Sequence, residues 1–237
     1  MFEALVAVAA FAGAIVASLA GFGVGSIMTP VLAMRYGMHL AVAMVAIPHV
    51  IGTALRFWFL RKSLDRRVLL TFGVTSALGG LTGAVLHSWI GGRVLAYILA
   101  ALLIFAGITG LLGIQLRFGR GGAWIAGALS GLLGGLVGNQ GGIRAGAMLG
   151  FDVPKEAFVA TATAVALLID GARVPVYLYT EGTALMNVWR IIAVATVAVI
   201  LGTIAGRTIL GRIPETTFKR VVSGLILLLG ISMLFVR

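Results

Sequence analysis

The feature that most constrains this chain is a series of long stretches without charge: no residue between Glu3 and Arg35 is ionised, and comparable stretches recur to the carboxyl end. Runs of about 20 apolar residues are what a bilayer core demands. Each must satisfy its own backbone hydrogen bonds, which leaves helices or a closed barrel. A barrel would alternate polar and apolar positions in segments of about 10 residues. These runs are apolar on every face and rich in Leu, Ala, Val and Gly, so helices are expected. Composition agrees, with 60% hydrophobic and 11% charged residues, against about 25% charged in soluble domains. The expectation is an all-α polytopic membrane protein with hydrophobic segments at roughly 2–36, 38–60, 68–88, 92–114, 122–150, 155–179, 186–210 and 216–236. Short connections leave no room for an inserted soluble domain.

A net charge of +11 does not point to nucleic acid. The basic residues sit in short clusters between apolar runs, as topology signals do, rather than on a soluble domain or arm. With no cysteine, disulfides, thiolate nucleophiles and Cys-ligated metals are excluded. Met1-Phe2-Glu3 lacks the basic region of a signal peptide, so the first apolar run is expected to be retained.

The chain repeats itself. A shift of 117 places Gly21 on Gly138, Gly25 on Gly142, Ala43 on Ala160 and Arg56 on Arg173. After a longer loop, a shift of 123 places Gly79 on Gly202, Gly83 on Gly206 and Gly107 on Gly230. Two homologous four-segment halves follow, 1–114 and 121–237. Lys and Arg in loops mark the cytoplasmic side: Arg61, Lys62, Arg66 and Arg67; Arg117 and Arg120; and Arg212, Lys219 and Arg220. Eight simple crossings cannot bring all three clusters to one side. If 2–36 and 122–150, both long and broken by glycine, enter and return on their own sides, they can. The halves are then inverted relative to one another.

Those two breaks, Gly21-Phe-Gly23-Val-Gly25-Ser26-Ile-Met-Thr29-Pro30 and Gly134-Gly-Leu-Val-Gly138-Asn139-Gln140-Gly141-Gly142-Ile-Arg144, are the leading functional candidates. Glycine weakens a helix by about 1 kcal/mol relative to alanine, and clusters of it permit unwinding. Freed backbone groups are tolerable at depth only beside protein or a wet cavity. Symmetric interrupted helices mark transporter binding sites, and a helix N-terminus suits an anion. The alternative use of membrane glycines is close helix packing, expected for Gly79, Gly83, Gly202 and Gly206. Charges within the membrane are costly and functional by default. Arg144 has no counterpart in the first break and is the leading anion contact. Asp170 and Arg173, spaced i, i+3, can neutralise each other or take part in proton coupling. Arg56 can serve the site or snorkel to a membrane face. His49 sits mid-segment, where an imidazole is either a proton relay or a packing hydrogen-bonder; His39 and His87 read as interfacial. No metal-ligand spacing, no Ser/His/Asp constellation and no phosphate loop appears, and Gly21-Phe-Gly-Val-Gly25 lacks the strand a dinucleotide site requires. No enzyme activity and no cofactor are expected.

The pattern Gly-x-Gly-x-Gly-x-x-x-x-Pro at Gly21 to Pro30 resembles the first repeat of the TauE/SafE family of sulfite and organosulfur anion exporters. Leu129-Ser130-Gly131-Leu-Leu-Gly-Gly-Leu-Val-Gly138 followed by Gly141-Gly142 is similar to its second, and Gly150-Phe-Asp-Val-Pro154-Lys-Glu-Ala157 with Thr161 to its turn into the next helix. The chain departs from the family at Asn139-Gln140 and Arg144, and has Ala147 where proline would fall. The resemblance implies a secondary transporter exporting a small anion, sulfite or an organosulfonate, across the bacterial inner membrane. Its site would be lined by Gly21, Gly23, Gly25, Ser26 and Thr29 from one half and Gly138, Asn139, Gln140, Gly141, Gly142 and Arg144 from the other. His49, Arg56, Asp170 and Arg173 would support or couple it. The lipid bilayer is the expected environment, with a homodimer compatible. Transport of a different solute and a non-transporting membrane scaffold are the competing readings.

Overall fold

The computed structural model describes residues 1–114, 122–139, 144, 148, 154–209 and 215–235. Helix α1 (Phe2–Ala20) ends where Gly21 takes the left-handed conformation (φ 77°, ψ 0°), its N–H bonded to the Ala17 carbonyl. A side chain strains that conformation and glycine does not. Gly23 (φ 148°) then turns the chain into α2 (Val24–Leu60), which Gly37 (φ 74°, ψ 169°) divides into two limbs. Helix α3 (Arg66–His87) is N-capped by Asp65, whose side chain accepts from Arg67 N and Val68 N. It contains a π-helical turn at Leu69–Gly73. Helices α4 (Gly92–Leu111), α5 (Ala123–Val137), α6 (Lys155–Asn187), α7 (Trp189–Ile209) and α8 (Glu215–Met233) complete the described elements. Among the described residues, five stretches are long and apolar enough to cross a bilayer: Val24–Ser63, Arg66–His87, Gly92–Leu111, Ala157–Asn187 and Trp189–Thr208.

Glycines set how closely the helices pack. A methyl group on Gly79 or Gly83 of α3 would overlap the carbonyls of Ala128 and Leu132 on α5. On α7, one on Gly202 would overlap the Phe11 carbonyl of α1, and one on Gly206 would lie 3.1 Å from the Ile15 Cα. Numbers rise together along both pairs, so each pair runs parallel. These glycines do serve close approach, as small residues do between membrane helices. In the third pair, Gly107 of α4 lies against Leu227 of α8 and Gly230 against Ile104. One number rises as the other falls, so α4 and α8 run antiparallel.

The outside of this bundle is apolar: Leu70, Leu78 and Leu81 on α3, Val197, Leu201 and Ile204 on α7, and Val221 and Leu228 on α8 are exposed. Such a surface is stable against hydrocarbon, not water. Trp58, Trp89, Trp124 and Trp189 are all exposed and all lie at or beside helix ends, as the aromatic belt of a membrane protein does. One bound differs from the sequence reading: segment 155–179 continues as helix to Asn187, and Trp189 opens the next helix almost without a loop. The bound between segments 2–36 and 38–60 falls at Gly37, whose non-helical backbone separates the two limbs of α2. His87, the last residue of α3, is fully buried: its Nδ1 lies 2.7 Å from the Leu136 carbonyl, an acceptor only, so Nδ1 carries the proton. The basic residues Arg117, Arg120 and Arg212 lie outside the described residues.

Candidate functional site

The two glycine breaks meet. Gly138 closes α5 in the same left-handed conformation as Gly21 closes α1 (φ 72°, ψ 9°), with its N–H on the Gly134 carbonyl. A methyl on Gly25, in the first turn of α2, would overlap the Gly138 carbonyl. A Cβ on Gly138 would stand 3.5 Å from Thr29 Oγ1 and 3.7 Å from Arg173 Nη1. Gly23, Ser26 and Thr29 are buried here, while Gly21 and Asn139 are half-buried. The first turn of α2 has no side-chain cap, so its leading N–H groups face the same junction. Gln140, Gly141 and Gly142 lie outside the described residues.

Arg144 bridges the breaks: buried, it donates from Nη2 to the Gly21 carbonyl at 2.8 Å. Arg173, with no exposed surface, does the equivalent for α5, donating from Nη1 to the Gly134 carbonyl at 2.6 Å. Each cation meets carbonyls at a helix C-terminus, where the helix dipole is negative. Arg173 is in turn held by Asp170, with Nε 2.9 Å from Oδ1, the i, i+3 pair expected from the sequence. Asp170 also receives His49 from α2, whose Nδ1 lies 2.7 Å from Oδ2. Arg56 does not snorkel: it is buried and donates from Nη2 to Thr53 Oγ1 at 3.0 Å, and Thr53 Oγ1 lies 3.5 Å from His49 Nδ1. Tyr177, one turn beyond Arg173, donates its hydroxyl to the Gly135 carbonyl.

The result is a buried polar cluster in which Arg56, Arg144, Arg173 and Asp170 act on one another electrostatically. Three guanidinium groups against one carboxylate leave a formal charge of +2 with His49 neutral. Thr29 Oγ1, Arg56 Nε and Nη1, and Arg144 Nη1 are buried without a hydrogen-bond partner among the described residues. Buried polar groups are nearly always paired, and an unpaired buried charge is expensive. Donors gathered at the junction of two helix breaks, with a surplus of positive charge, have the chemistry to receive an anion. No group of His, Asp and Glu suited to a metal ion occurs among the described residues. Thr53 and Tyr177 escape the sequence reading, since one hydroxyl in an apolar run carries no signal of what faces it across a helix interface.

The fold is that of a multi-pass integral membrane protein, with a buried polar cluster where two interrupted helices meet. The family profile described as Sulfite exporter TauE/SafE matches residues 5–233, nearly the whole chain. The chain belongs to that family, one of membrane transporters of sulfite or related anions. No curated protein and no solved structure matches it.

Proposed function

We propose that this protein exports a small dianion, sulfite or a carboxylated organosulfonate, across the bacterial cytoplasmic membrane, binding it between the two glycine breaks. Gly21, Gly23, Gly25, Ser26 and Thr29 line one side of the site, and Gly138, Asn139, Gln140, Gly141, Gly142 and Arg144 the other. The observation that carries this reading is the set of buried donors on Arg56, Arg144 and Thr29 that have no partner among the described residues, within a cluster of charge +2. A dianion neutralises that charge and supplies acceptors for those donors. The zwitterion taurine would leave +2 uncompensated, so it is the weaker cargo. With no nucleotide-binding motif in the sequence, transport runs on an ion gradient or on the gradient of the anion itself.

The halves 1–114 and 121–237 are inverted repeats that rock about this site. Contacts support the repeat: Gly79 on Ala128 and Gly202 on Phe11 are the same contact displaced by 123 and 117, as are Gly83 on Leu132 and Gly206 on Ile15. Gly107 on Leu227 and Gly230 on Ile104 are one contact exchanged between halves. Because α4 and α8 correspond in the repeat and run antiparallel, inversion is the relation of the halves that fits this contact. The test is efflux of labelled sulfite from proteoliposomes. The wild-type protein releases it faster than empty vesicles, and Arg144→Gln does not. Equal release by both would remove Arg144 from the site.

A further inference from the structure

We propose that the His49–Asp170 pair is a proton site linked to the anion site through Arg173, so that anion and proton are bound together. This rests on the anion reading above. His49 donates from Nδ1 to Asp170, which fixes the tautomer and leaves Nε2 as the basic nitrogen. The imidazole side chain retains 10% of its surface while Asp170 and Arg173 retain none, so of the three only the ring can be reached by a proton from outside the cluster. The charged groups that act on it are Asp170 and Arg173 from α6 and Arg56 from its own helix. Helices α1 and α7, packed against α2, bring no charge to it; Val199 and Thr203 of α7 face Gly52 near this level.

The link to the breaks is a continuous chain of contacts. His49 touches Asp170, Asp170 holds Arg173, and Arg173 donates to the Gly134 carbonyl. That same carbonyl accepts the Gly138 N–H that closes α5. Asp170 therefore divides its charge between the ring and the guanidinium that ties down the second break. Before an anion enters, a cluster of charge +2 opposes a further positive charge on His49. A bound dianion cancels that opposition, and the ring takes a proton at Nε2 from bulk water. Linkage makes the effect reciprocal: whatever the anion does for the proton, the proton does for the anion. The sign is fixed, with lower pH tightening anion binding.

Proton uptake on anion binding tests this. The purified full-length protein in weakly buffered detergent solution with a pH indicator is mixed with sulfite, sulfate or sulfoacetate. The last two keep a constant charge between about pH 6 and pH 8.5, so their own protonation does not enter the reading. The expected result is uptake of up to one proton per anion bound, with affinity rising by up to about tenfold per pH unit as pH falls. His49→Gln binds the same anion with neither uptake nor pH dependence. Binding by the wild type with no uptake and a pH-independent affinity overturns the proton site and leaves the anion site standing. Uptake by His49→Gln equal to wild type overturns the assignment to His49. Failure of every anion to bind overturns the anion reading and the coupling with it. The wild-type measurement decides the matter even if the variant does not fold.

Discussion

Asp170 has no exposed surface and serves Arg173 and His49 at once. Removing one partner of a buried ion pair leaves an uncompensated charge and costs about 3–5 kcal/mol. Asp170→Asn is therefore expected to lower the thermal midpoint of the detergent-purified protein sharply. Asp170→Asn combined with Arg173→Gln should cost less than the sum of the two single variants, since neither side chain is then charged. A strictly additive double variant would mean that the pair does not interact. Tyr177→Phe, which strips a donor from the Gly135 carbonyl, should cost about 1 kcal/mol in the same assay. The pairing of Asp170 with Arg173 is legible in the sequence because i, i+3 spacing on a helix is local. The approach of His49 is not, since 121 residues separate it from Asp170 and nothing local encodes a contact across two helices. Arg56 is ambiguous for the same reason: the sequence shows how far it lies from a helix end, not that Thr53 holds it inside.

At the scale of elements, the glycine rows decide which helices touch. Gly83→Val and Gly206→Val each place branched side chains where α3 meets α5 and where α7 meets α1. Overpacking of this kind costs about 1–3 kcal/mol, and each variant is expected to show a lowered thermal midpoint and a broadened elution profile. Gly224, with open space around its Cβ position, is the control, and Gly224→Ala should be neutral. A Gly83→Val protein as stable as wild type would show that α3 and α5 do not pack this closely. The breaks at Gly21 and Gly138 are legible because their glycines stand one or two residues apart or are interrupted by Asn139 and Gln140, unlike the four-residue spacing of packing glycines such as Gly79 and Gly83. The length of α6 is not. Its last turns carry Thr180, Glu181, Gly182 and Thr183, which hydropathy reads as loop although a helix leaving the bilayer accepts them. The π turn at Leu69–Gly73 has no signal in its side chains either.

At the scale of the molecule, inversion makes a topological prediction. Single cysteines introduced at Lys62 and Arg212 should both resist an impermeant thiol reagent in intact cells and react after permeabilisation, while one at the exposed Ser88 should react from outside. Opposite behaviour at 62 and 212 would contradict inverted halves. The proposed repeat rests on glycine and arginine positions in the sequence, which would recur if the same packing problem were solved twice by the same residues. What the sequence could not contain is that the two breaks face each other, which depends on how the halves close together. That closure is where the central claim lies: an anion is held at the junction by buried arginines. The most direct test is thermal unfolding of the purified protein against sulfite, sulfate, sulfoacetate, thiosulfate, taurine and acetate, with Arg144→Gln alongside. A dianion at about 100 times its Kd should stabilise the wild type by about 2.7 kcal/mol, with taurine and acetate giving less and Arg144→Gln giving no shift. A shift of equal size in Arg144→Gln, or none with any dianion, would contradict an anion site at the junction.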